Sequence, residues 1–177
     1  MKESEAMRIL QELLHQDPAA VQNWIMDIWQ GRRQAPDDFN WLGLAQAAAA
    51  EARASLSLSW ARVALSTYDY LSTQSPAYDQ NSAMMLRAYL IRHMGPRGGD
   101  EILDPAIIVR WFFDNLPLSR EEAEQWARNW QNLSRAQIKI LRQIKNHLSV
   151  LHLLAEQHLL DAYPELAGWL ALQDRLP

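Results

Sequence analysis

The sequence predicts an all-α protein, a single domain built as an irregular antiparallel bundle of eight or nine helices. Three observations carry this. Apolar residues recur at spacings of three and four along most of the chain, which is the period of an α-helix. The interruptions have the chemistry of helix ends, with Asp, Ser and Pro in front and Gly behind. The one stretch that also suits a strand, Ile107–Phe113, finds no second strand to pair with.

Taken in order, Ala6, Ile9, Leu10, Leu13 and Leu14 form the first stripe. Asp17-Pro18 offers a cap followed by a proline at the first helical position. Val21, Trp24, Ile25, Ile28 and Trp29 then follow at i, i+3, i+4, i+7 and i+8, and Gly31 stops them. A third helix is expected from about Pro36-Asp37-Asp38 to Arg53, with the acidic pair opposing the helix dipole at its start. Its run of alanines at 47–50 has high helix propensity and allows close approach of a neighbour. A fourth helix is expected over about 56–72, broken at Ser75-Pro76, and a fifth over 80–94, ended by Gly95.

The Gly-rich segment Gly95–Asp100 reads as a flexible loop over 95–103, dividing an N-terminal helical-hairpin region (1–94) from a C-terminal helical region (104–177). Asp104-Pro105 restarts a helix that runs to Leu116-Pro117. Ser119 with Glu122, and Ser134 with Gln137, have capping-box spacing. No Gly or Pro falls between Ser134 and Tyr163. That predicts one central helix over about 134–162, roughly 43 Å long at the usual rise. Its second half carries two apolar faces and is expected to be surrounded; its first half is expected to be open on one side. A short last helix follows Pro164.

Composition narrows the function. The 177 residues are 49% apolar and 21% charged, with no cysteine. The lack of cysteine excludes a disulfide framework, a thiol nucleophile and Cys-ligated metals. The net charge is −4, distributed as −3 over residues 1–60, −1 over 61–118 and zero over 119–177. No third is basic overall, so a broad nucleic-acid surface is not implied. Fourteen of the seventeen basic residues are Arg. The first residues carry both signs of charge and no apolar run, and no stretch has the length of a membrane span. A cytoplasmic protein with no membrane partner is therefore the expectation.

The segment Trp41–Leu65 resembles a tetratricopeptide-repeat hairpin. Trp41, Leu44, the small residues Ala45 and Ser57, and Ala64-Leu65 stand at the offsets of that repeat. The resemblance covers about residues 38–72. Asp69 stands where the repeat has its terminal proline, Ala61 replaces an aromatic, and the pattern does not recur thirty-four residues on. The resemblance implies a scaffold that binds proteins or peptides.

Motifs for chemistry are sparse. No nucleophile elbow, phosphate loop or His-Glu-x-x-His motif is present, so no catalytic residue and no cofactor are assigned. His152 and Glu156, at i and i+4, are half of a metal site or a general-base pair at most. His147 and His158 share a helix face three turns apart, too far to share a metal. Arg97-Gly98-Gly99-Asp100 has the makings of an anion-binding nest, with only one basic residue beside it. Arg135, Lys139 and Arg142, with Lys145 drifting off the line, form a basic stripe, and Trp130 precedes it. Of the eight tryptophans, Trp169, next to Gly168, is expected to be the most exposed.

The reading these features favour is a non-enzymatic protein-interaction or scaffold module. It would engage a protein partner or a second copy through the basic stripe, or through a groove near helices three to five that presents aromatic and Arg side chains. Two alternatives use the same features. One is a nucleic-acid-associated protein holding phosphates on the stripe at 135–145. The other is a helical bundle that binds a small molecule or metal around His152 and Glu156.

Overall fold

Side-chain caps set most of the helix starts. In the computed structural model, which describes residues 2–75 and 78–177, there are nine α-helices and no strand among the described residues. They are α1 (Lys2–Leu14), α2 (Pro18–Trp29), α3 (Trp41–Ser55), α4 (Leu58–Gln74), α5 (Asn81–Met94), α6 (Pro105–Asp114), α7 (Arg120–Arg128), α8 (Arg135–Ala155) and α9 (Leu166–Leu172). Short 3-10 turns occupy Trp130–Asn132 and Gln173–Arg175. The breaker Pro76 lies outside the described residues.

The expected caps form. Asp17 and Asp104 accept backbone N–H groups from Ala19 and Ala106, with Pro18 and Pro105 in the first turn. Both capping boxes close: Glu122 donates its N–H to the Ser119 hydroxyl, and Gln137 does so to Ser134, while each Glu or Gln side chain accepts from the cap's own N–H.

The chain forms two compact units, Met1–Leu86 and Arg87–Pro177. Their boundary falls inside α5 rather than at the 95–103 loop. In the first unit, α3 and α4 make the closest helix pair, and α2 packs on α4. Its core is small-residue rich: Leu44, Ala45, Ala48, Ala49 and Ala52 of α3, with Ala61, Val63, Ala64 and Leu65 of α4, all buried. Buried Thr67 donates its hydroxyl to the Val63 carbonyl at 2.7 Å.

In the second unit α8 is the central rod, contacted by α6 and α9. Leu141, Ile144, Leu148, Val150, Leu151 and Leu154 are buried along it. Its first half is exposed on one side and its second half is nearly enclosed, as the two-face pattern predicts. The 95–103 segment belongs to this unit and carries its own bonds. The Asp100 carboxylate accepts from the N–H groups of Ile102 and Leu103 at 2.7 and 3.0 Å, and both those side chains are buried. Arg87 donates to the Glu101 carbonyl.

Three expectations are corrected. The central helix stops at Ala155, not 162. Leu159 N–H returns to the Leu154 carbonyl and His158 N–H to that of Ala155, with His158 left-handed at φ 61°. This is a Schellman closure with histidine where glycine is usual. His158 therefore leaves the helix and shares no face with His147. The third helix begins at Trp41, not at 36–38, because Asp38 is left-handed (φ 55°) and Asn40 is the cap, accepting the Gly43 N–H at 2.9 Å. Asp37 and Asp38 thus lie in the preceding turn rather than at the helix dipole. Trp169 is 4% exposed, not the most exposed tryptophan; its ring stands edge-on to buried Phe112 with centroids 5.5 Å apart.

Candidate interaction surfaces

The basic stripe forms on α8 because its capping box starts the helix one residue before Arg135, and successive turns then place Lys139 and Arg142 on the same face. All three are exposed, and none is in an ion pair among the described residues. Lys145 separates from them. It is half-buried, and its ammonium donates to the Leu176 carbonyl at 3.2 Å, pinning the C-terminal segment to α8. Trp130 is 39% exposed in the 3-10 turn that leads into the helix, not on α7 itself.

The histidine–carboxylate pair is not assembled for metal. Glu156 lies beyond the end of α8 and pairs with Arg92 of α5 at 3.4 Å. No group of three metal-ligating side chains occurs among the described residues. His147 is buried against Trp111, with ring centroids 4.6 Å apart, as a packed core histidine. The Gly98-Gly99 nest is filled from within: Gly99 N–H donates to the Asp104 carboxylate at 2.9 Å, whose other oxygen caps α6.

The most spacious of the described concavities is elsewhere. It lies in the first unit along the α1–α2 hairpin, about 590 Å³, and not near α3–α5. Ile9, Leu13 and Trp24 supply its apolar surface, while Glu12, Asp27 and Arg33 are its charged members. A second hollow of about 380 Å³ adjoins it, sharing Ile9, Gln34 and Pro36 and adding Glu5 and Asp37. Both are walled by the return segment 33–37, which left-handed Gly31 (φ 79°) turns back towards α1. Sequence reasoning missed this site because the wall comes from a segment with no periodicity. The signal in the sequence was the acidic excess of the first sixty residues.

An aromatic band stands behind the hollow. Trp24 meets Phe39 (5.4 Å) and Trp41 (5.6 Å), Trp41 meets Tyr70 (4.8 Å), and Tyr70 meets Trp29 (6.1 Å), which is 38% exposed. Farther along the same unit Tyr68 and Tyr78 stack. Burial, then the neighbouring Tyr68 and Asp79, push the Tyr78 phenol up to about 12. Burial also raises Tyr68, against the opposing pull of Arg53. Both rings stay neutral at physiological pH and act as packing groups.

Compared with protein-family models, with characterised proteins and with solved structures, the chain matches none. No helix among the described residues is long and apolar enough to cross a membrane.

Proposed function

We propose that the protein is a non-enzymatic interaction module of the cytoplasm that holds an acidic segment of a partner protein on the first half of α8. One observation carries the reading: Arg135, Lys139 and Arg142 line a single exposed helix face with no carboxylate partner among the described residues. A surface of this kind steers an oppositely charged partner and fixes its register. Half-exposed Trp130 beside the helix start adds the residue type most enriched at binding hot spots. The α3–α4 hairpin, with its alanine-rich contact and two-residue connection, supports the tetratricopeptide-like scaffold that its sequence resembles.

The test compares the protein with an Arg135→Glu, Lys139→Glu, Arg142→Glu variant as baits in lysate of the source cell, read by quantitative mass spectrometry. The expected result is a partner retained by the parent and depleted roughly tenfold with the variant, at unchanged thermal midpoint. Equal recovery by both baits removes the stripe from the interface. Salt-sensitive retardation of duplex or single-stranded nucleic acid, lost in the variant, favours the phosphate-binding alternative instead.

A further inference from the structure

The hollow along α1–α2 combines three properties. It has the volume of a binding pocket, about 590 Å³, and a second hollow of about 380 Å³ shares three of its lining residues. Its lining sets the apolar side chains of Ile9, Leu13 and Trp24 among a larger share of polar groups. Its charge leans acidic: Glu5, Glu12, Asp27 and Asp37 border the two hollows, against Arg33 in the lining and Arg8 and Arg32, which pair with Glu12 and Asp27. The unit around it holds ten acidic and six basic residues, so it accounts for the whole net charge of −4.

We propose that this trough receives an extended segment of a partner protein in which Arg or Lys alternates with apolar side chains. An alternating strand-like segment points successive side chains to opposite faces. One set can meet the apolar side chains of the lining while the other meets its carboxylates. Trp24 is held from behind by Phe39 and Trp41, so its ring is pre-ordered and loses little freedom on contact. Its indole is the aromatic group best suited to receive a cation on its face.

The two carboxylates that line the hollow together with Trp24 are already paired with guanidinium groups. Glu12 pairs with Arg8 one helical turn away, and Asp27 with Arg32 at 2.9 Å. Both pairs are solvent-exposed and join residues close in sequence, so neither holds the fold together and each is exchangeable. An incoming Arg replaces a local cation by one whose apolar neighbours are buried at the same time. Arg33 is itself exposed.

The inference shares the interaction reading of the protein but uses a surface in the other unit, so it stands or falls separately from the α8 stripe. The probe is a fluorescein-labelled nonapeptide alternating Arg and Leu, with two controls, Glu replacing Arg and Ser replacing Leu. Anisotropy is expected to show binding of the Arg-Leu peptide alone, weakened by salt. A Glu12→Lys, Asp27→Lys variant is expected to bind it roughly tenfold more weakly, with Glu5→Lys as a milder version at an exposed site. Arg135→Glu with Arg142→Glu is expected to leave this binding intact, which separates the two surfaces. Equal binding of the Arg-Leu peptide to parent and Glu12→Lys, Asp27→Lys variant overturns the proposal, as does equal binding of the Arg-Ser control. A dimer in sedimentation that Asp27→Lys dissolves and the peptide does not displace also overturns it, because the trough then belongs to a second copy.

Discussion

The two units solve helix packing with different side chains. In Met1–Leu86 the closest helix pair meets through alanines, and most of the large rings are displaced to a band in which only Phe39 is buried, with Tyr68 buried apart from it. In Arg87–Pro177 the rings go inward: Trp111, Phe112 and Trp169 are all buried, around a rod of Leu, Ile and Val on α8. Charge divides likewise. The first unit carries the entire net negative charge, while the second holds eleven acidic and eleven basic residues. Small cores leave aromatic and charged groups over for the surface. The hollow with its tryptophan wall is therefore in the first unit, while the second presents the basic face of α8 and a smaller hollow of about 260 Å³ beside Leu160 and Leu170.

The largest expected effect tests the aromatic core. Phe112 is fully buried and meets Trp169 and Phe113 edge-on. Phe112→Ala removes those contacts and leaves a cavity between α6 and α9, with an expected loss of about 3–5 kcal/mol in urea unfolding. Amide exchange in α6 and α9 is expected to accelerate with it. A loss near that of a surface substitution breaks the comparison, since the rings would then be decoration on an aliphatic core.

The alanine interface makes the opposite prediction, that adding atoms is what harms it. Ala48 is 0% exposed on α3. Ala48→Leu forces α3 and α4 apart, at an expected cost of about 1–3 kcal/mol, with faster exchange along both helices. A neutral outcome means the helices are not in close contact through their small residues.

How much of this the chain disclosed depends on the range of the interactions involved. Starts were legible at four side-chain caps: Asp17, Asp104, Ser119 and Ser134 all cap where their spacing predicts, whereas the Asn40 cap of α3 was missed because the acidic pair before it looked like a helix start. The exposure of Arg135, Lys139 and Arg142 was legible too, since it follows from the period of α8. Features set by distant partners were not. Trp169 is buried because Phe112, more than fifty residues earlier, meets its ring, and no local rule encodes that. Lys145 leaves the stripe because the Leu176 carbonyl lies beside it. The trough needs the aperiodic 33–37 segment to fold back against α1. The end of α8 failed for a different reason: its left-handed residue is not a glycine.

That last point gives the smallest and most discriminating comparison. Each unit closes one helix with a left-handed residue other than glycine: Leu56 (φ 51°) after α3, where Ser57 N–H returns to Ala52, and His158 (φ 61°) after α8. The left-handed state costs an L-residue about 1–2 kcal/mol, and glycine's extra freedom in the unfolded chain takes back about 0.5–1 of that on replacement. The side chains decide the remainder. His158 is well exposed and makes only a loose contact with Asp161 at 3.5 Å, so His158→Gly keeps the relief and is expected to stabilise by about 0.5 kcal/mol. Leu56 is 39% exposed and still covers apolar surface, so Leu56→Gly forfeits that burial and is expected to be close to neutral. Urea midpoints of the two variants check the ranking. The reverse order means that the Leu56 side chain contributes no packing, and that the histidine rather than the backbone closure holds the end of α8.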